Sequence, residues 1–153
     1  MTAVIQRVSS ASVRVDGELV GRCGKGLCIL LGVAKGDTEQ DADALMIKIA
    51  GLRIFNDENG KMNRSIRDVR GSMLIVPNFT LLASYKKGYR PDYMGAEAPE
   101  RAERLYNYFC GRMELLESLP ISTGVFGADM ELQINNDGPV TIVMESSVLL
   151  GKK

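Results

Sequence analysis

"AVIQRVSSASVRVDGELVGRCGKGLCILLGVAKGD", residues 3–37, decides the fold class. Val4, Gln6 and Val8, and then Ala11, Val13 and Val15, approximate a period of two, the pattern of a strand with one buried face. Asp16-Gly17 offers a tight turn, because both residues tolerate left-handed backbone angles. A second strand follows. "LCILLGV", residues 27–33, is apolar without a break and suits a central strand covered on both faces. No helical pattern follows the glycines of "GKG", so they do not read as a phosphate loop.

The period changes after Gly36. "DTEQDADALMIKIAGLRIF" reads as a helix capped by Asp37 or Thr38, with Leu45, Ile49 and Leu52 on one face and a break near Gly51. "NDENGKMN" is a polar turn segment. "GSMLIVPNFTLLA", residues 71–83, is a strand interrupted by Pro77, which marks an edge, a bulge or a strand end. "SYKKGYRPDYMGAEA" is a loop whose Lys86, Lys87 and Arg90 form the densest basic cluster of the chain. "APERAERLYNYFCGRMELLESL" is a second helix with Pro99 near its first turn and Ala102, Leu105, Phe109 and Met113 at helical spacing. The remainder to Leu150 reads as two strands around a Gly138-Pro139 corner. The order β-β-β-α-β-α-β-β implies one mixed α/β domain over residues 1–153 with substantial antiparallel pairing.

Composition narrows the chemistry. The chain has 153 residues, 45% hydrophobic and 25% charged, with a formal net charge of zero. A nucleic-acid partner would therefore have to meet a local basic patch. No apolar run is long enough to span a bilayer, and the alternating, Arg-bearing start does not read as a signal peptide. Cys23, Cys28 and Cys110 lack metal-ligand spacing and read as free thiols of a cytoplasmic protein. The chain contains no histidine. This removes the commonest general base and catalytic zinc ligand, together with Ser-His and Cys-His nucleophile pairs. An enzyme built this way must use carboxylates, hydroxyls, lysine, backbone amides or a group on its substrate.

Two readings of "NNDGPVTIVME", residues 135–145, stand side by side. Gly138-Pro139 is either a turn that launches the last strand or a rigid element whose carbonyls point into a site.

The ordered segments "IQRVSSASV", "LRIFNDENGKMN", "NFTLLA", "KGYRP", "AERLYNYF", "TGVFGADM" and "NDGPVT" resemble those of D-aminoacyl-tRNA deacylases, over nearly the whole chain. The resemblance implies a homodimer with a barrel-like, largely antiparallel β core flanked by two main helices. It also implies hydrolysis of the ester joining a D-amino acid, or glycine mischarged on tRNA-Ala, to the tRNA 3′ end. In that family the Gly-Pro bond is cis and crosses the dimer interface, so Gly138 and Pro139 would crowd any L side chain in the partner's site. Arg7 resembles the arginine that braces this motif.

The usual Ser-Gln-Phe-Thr is replaced by Pro77-Asn78-Phe79-Thr80, and the usual Arg-Pro-Ser-Phe by Arg90-Pro91-Asp92-Tyr93. Pro77 and Asn78 would then bear on how the terminal adenosine is held. The resemblance implies no cofactor and no metal.

The backbone amides of Phe79 and Thr80 are candidate oxyanion donors. The hydroxyls of Thr80 and Thr141 lack an evident base, and the substrate's ribose 2′-OH can activate water in their stead. Asp129 and Asp137 are alternative bases, and Ala102 is a candidate small lining residue. A related editing deacylase of altered substrate range, an RNA-binding module without catalysis and a general ester hydrolase remain alternatives.

Overall fold

The computed structural model describes residues 1–152. Strand β1 (Thr2–Val15) is its axis. β2 (Glu18–Cys23) returns against its second half through Asp16 and Gly17, both at positive φ, as the mirror-image hairpin turn requires. β3 (Gly26–Gly32) then continues antiparallel along the first half of β1, so β2 and β3 together make the return arm of one long hairpin. Its apolar run is buried on both faces, as expected: Leu27, Cys28, Ile29 and Leu31 are all sheltered from solvent.

Helix α1 (Glu39–Ala50) starts at Thr38 and ends at Gly51. The Asp41 carboxylate accepts the backbone N–H of Thr38 at 2.9 Å and its hydroxyl at 3.1 Å, so the side chain three positions along closes the start of the helix. The polar segment after it forms a small hairpin, β4 (Phe55–Asn56) with β5 (Met62–Arg64), rather than a turn alone. β6 (Ser72–Pro77) lies parallel to β3. Pro77 is a strand end, because the chain turns at once into a single 3-10 turn, Phe79–Leu82. α2 (Pro99–Glu117) crosses back and delivers β7 (Ile121–Thr123) parallel to β6.

The last segment corrects one sequence expectation. Residues Glu131–Glu145 form one strand, β8, antiparallel to β1 along its length, not two strands about a corner. Val8 pairs with Asn136 and Gln6 with Thr141, so Asp137, Gly138, Pro139 and Val140 stand opposite Arg7 alone. The Gly138–Pro139 peptide, which is cis, therefore sits in a wide bulge inside a continuous ladder. A bulge leaves the alternation on either side intact, which is why the two halves read as separate strands. A short helix α3 (Ser146–Leu149) closes the described chain.

β2 packs against β7, curling the six-stranded sheet toward closure. The long ladders of β1 are antiparallel, while β6 joins β3 and β7 in parallel. One core, including Ile5, Ile29, Ile75, Leu45, Ile49 and Phe109, lies between the sheet and the two main helices. A second, with Val8, Val13, Cys28, Leu74 and Val76, fills the hollow of the curl. Each such buried side chain contributes roughly 1.5–3 kcal/mol. No helix among the described residues is long and apolar enough to cross a membrane.

Candidate active site

The site begins where β6 stops. Pro77 has no N–H to extend the ladder, and the next donor, the N–H of Asn78, bonds Leu31 O at 2.9 Å. This anchors the Phe79–Leu82 turn to the end of β3. The approach is close: a Cβ on Gly32 would lie 2.9 Å from Asn78 O. The Asn78 side chain folds back over the turn, its Oδ1 accepting the Thr80 N–H at 3.2 Å and the Thr80 hydroxyl. Of the two backbone donors at this position, Thr80's is thus engaged by its own chain. That of Phe79 has no hydrogen-bond partner among the described residues. The Phe79 ring is 57% exposed and meets Tyr93 edge-on, with centroids 5.0 Å apart.

Pro77, Asn78, Phe79 and Thr80 form one wall of a cleft of about 810 Å³. Ala98, Pro99, Ala102 and Tyr106 of the α2 segment form the opposite wall, and Phe126–Met130 with Asp129 closes an end. Leu30 and Val76 also line it, so the interior is largely apolar. Ala102 and Tyr106 are one helical turn apart, and the small Ala102 side chain keeps space open between helix and sheet. The Tyr106 hydroxyl donates to Ile75 O at 2.6 Å, and burial pushes its phenol well above the ordinary range. It is a neutral wall, not a base.

Glu97 is equally committed. It accepts the N–H groups of Ala98 at 2.9 Å and Gly36 at 3.2 Å, and these hold its carboxyl below the usual range. No group of potential metal ligands is found among the described residues.

Arg7, Gly138, Pro139 and Thr141 do not line this cleft. They form a separate construction on the bulge of β8. Arg7, 8% exposed, donates from Nε to Asp137 O at 3.2 Å and from Nη1 to Ile54 O at 2.8 Å, and its Nε lies 3.3 Å from the Asp137 carboxylate. Asn136 ties the two sides of the bulge together, its Nδ2 donating to Arg7 O at 2.9 Å and Val140 O at 3.1 Å. The Thr141 hydroxyl accepts from Gln6 Nε2 at 3.3 Å and donates to Asn136 Oδ1 at 3.5 Å. Gly138 has φ +128°, and a Cβ there would sit 2.8 Å from Val140 N and 3.2 Å from Arg7 Nη2, so no side chain fits. Gly138 and Pro139 nonetheless face outward, exposed. The bulge is a fixed, outward-facing backbone element, and Asp137 is tied to Arg7 beside it.

Sequence reasoning did not single out Tyr106, Phe126 or Glu97 as cleft residues. The position of Tyr106, four after Ala102, is the one local signal that placed it on the same helix face.

Comparison with known proteins finds similarity along nearly the whole chain. The profile of a family described as D-Tyr-tRNA(Tyr) deacylase matches residues 4–145. A D-aminoacyl-tRNA deacylase of Persephonella marina is 56% identical over 149 residues, covering 97% of this chain and 100% of that protein. One from Caldicellulosiruptor saccharolyticus is 54% identical over 146 residues, covering 95% of this chain and 97% of that protein. A solved structure described as c-Myc DNA unwinding element binding protein superposes with a TM-score of 0.89 at 42% identity, covering 95% of this chain and 98% of its own. Another, described as a probable eukaryotic D-amino acid tRNA deacylase, has a TM-score of 0.79 at 18% identity over 95% of this chain and 100% of its own, a likeness of fold.

Proposed function

The chain belongs to the D-Tyr-tRNA(Tyr) deacylase family, and from that premise we propose that it hydrolyses the ester of D-aminoacyl-tRNA, and of glycine mischarged on tRNA-Ala, releasing the free amino acid and tRNA. The observation that carries the reading is the unpaired Phe79 N–H at the rim of an apolar cleft. Water attacks the ester carbonyl, whose oxygen takes up negative charge against that N–H. The tetrahedral species collapses with cleavage of the bond to the ribose oxygen, which leaves with a proton. One aligned donor of this kind is worth about 2.7–4 kcal/mol of barrier.

Of the two carboxylates that line the cleft, Glu97 is held by backbone N–H groups, and Asp129, on the segment that closes its end, is the one left open to a base's role. The Thr80 hydroxyl already donates to Asn78 and has no base beside it. Activation of the water falls to the neighbouring ribose 2′-OH of the substrate, with Asp129 as the alternative base, and the aminoacyl ester, being activated, needs little more.

Discrimination against L-amino acids falls to Gly138 and Pro139. They are exposed, braced by Arg7 and Asn136, and lie outside the chain's own cleft. In a two-fold homodimer each bulge would enter the cleft of the other copy, where its backbone excludes an L side chain whatever its chemistry. Rejection by backbone suits an enzyme that must accept many D side chains.

Incubation with D-aminoacyl-tRNA, its L-counterpart and a 2′-deoxy-terminated D-substrate tests the proposal. Release from the D-ester and not from its L-counterpart is expected, with the deoxy substrate reacting much more slowly. Equal release from D and L esters, or none from either, defeats it, the latter outcome favouring an RNA-binding module.

A further inference from the structure

Ester hydrolysis leaves one feature of the cleft rim unused. Ser84 and Asp92 exchange both backbone hydrogen bonds, Ser84 N–H to Asp92 O at 2.8 Å and Asp92 N–H to Ser84 O at 2.9 Å, pinching off the segment between them as a closed loop. Both stems run directly into the cleft wall. Ser84 follows the Phe79–Leu82 turn, and Asp92 precedes Tyr93, the ring stacked edge-on against Phe79. The loop therefore rises from the lip beside the candidate oxyanion donor.

Its side chains are arranged for a polyanion. Lys86, Lys87 and Arg90 are exposed, and none makes an ion pair with another described residue. The loop's one acid, Asp92, makes no ion pair with them; its carboxylate accepts the N–H of Met94 at 3.2 Å. Tyr85 is 82% and Tyr89 108% exposed, two rings left in water on a chain whose other large residues are mostly sheltered. In a protein with zero formal net charge, cations and free aromatic faces gathered on one loop form a local patch, not a general basicity.

We propose that residues 84–92 grip the single-stranded 3′ segment of tRNA next to its aminoacylated nucleotide, Lys86, Lys87 and Arg90 contacting phosphates while Tyr85 and Tyr89 stack on base faces. This rests on the reading that the cleft receives the aminoacyl ester. Phosphates and base faces are common to every tRNA 3′ end, so the grip is independent of tRNA identity.

The triple variant Lys86→Ala/Lys87→Ala/Arg90→Ala, assayed on D-aminoacyl-tRNA and on a D-aminoacyl-adenosine ester without phosphates, tests the charge. KM for the tRNA should rise on the order of tenfold with kcat unchanged, and the slope of log affinity on log salt should flatten by about 2, roughly 0.7 for each phosphate no longer neutralised. The adenosine ester should react as with the parent protein. Unchanged KM and salt slope on tRNA, or an equal loss on both substrates, overturns the proposal.

Binding of an RNA hairpin with a tRNA 3′ overhang tests the rings and does not depend on catalysis. Tyr85→Ala/Tyr89→Ala should weaken binding of the overhang hairpin and not of a blunt one. Equal weakening of both, or of neither, rejects the stacking. A parent protein that binds the overhang hairpin yet hydrolyses neither ester would overturn the deacylase reading and leave the grip standing.

Discussion

Asn78 holds Thr80 at two points: one side-chain oxygen accepts the Thr80 backbone N–H at 3.2 Å and the Thr80 hydroxyl as well. The pair stiffens the turn that presents the Phe79 N–H, and it withdraws Thr80 from the set of open donors. A glutamine, one methylene longer, does not close the same short ring.

Asn78→Ala is expected to loosen this turn, costing about 1 kcal/mol of stability as a lost cap does. A misaligned donor should lower kcat/KM by roughly tenfold, equivalent to about 1.4 kcal/mol of barrier. Denaturant titration and deacylation kinetics measure the two effects. Pro77→Ser with Asn78→Gln is expected to change KM or the D-over-L preference. A double variant identical to the parent in both would show the Pro-Asn pair to be a neutral local variation.

Gly32→Ala should damage the site from beneath. The new Cβ would lie 2.5 Å from Leu82 Cδ2 and 2.9 Å from Asn78 O. The leucine end can swing away, but the Asn78 backbone is anchored to Leu31 at 2.9 Å. Overpacking of this kind costs about 1–3 kcal/mol. The expected signature is a lower unfolding midpoint together with lower kcat/KM, and a variant as active and stable as the parent would contradict it.

Asp41 should make the protein acid-sensitive. It is 1% exposed and accepts from Lys152 Nζ at 2.8 Å, from Ser146 Oγ at 2.8 Å and from Thr38. Burial acts to raise its carboxyl, but these hydrogen bonds override it and leave the group well below the ordinary range. A depressed folded value means that the stabilisation is complete above the unfolded carboxyl's pKa of about 3.9 and is lost as pH falls further toward the folded value. Asp41→Asn should therefore cost about 2 kcal/mol at neutral pH, with the gap to the parent closing as pH drops below about 4. Unfolding curves across that range give the answer.

The three thiols should be inert in the folded chain. Burial pushes Cys28 and Cys110 up to about 12 and Cys23 up to about 11. The reactive thiolate is then scarce at neutral pH, and access is closed as well. Iodoacetamide followed by mass spectrometry should show no adduct on native protein and full labelling after unfolding.

The sequence alone carried the strand–turn–strand of residues 3–23, the buried β3 and the two main helices, including the break at Gly51. Each is a short-range pattern: the side chains of a strand alternate and those of a helix recur at 3.6, so burial of one face writes itself into neighbouring positions. The order of family-like segments likewise pointed to a deacylase. What the sequence could not decide lies between residues far apart in the chain. That the last two strands are one, with Asp137–Val140 bulged opposite Arg7, depends on pairing with a strand at the other terminus. Tertiary structure alone set Pro77–Thr80 against Ala102 and Tyr106 in one cleft and left Gly138 and Pro139 outside it. It also decided that Asn78 engages Thr80 while the Phe79 N–H stays open. A hydrogen bond is made or missed within a few tenths of an ångström, and that distance is set by how β3, β6 and α2 pack, not by the residues that flank it.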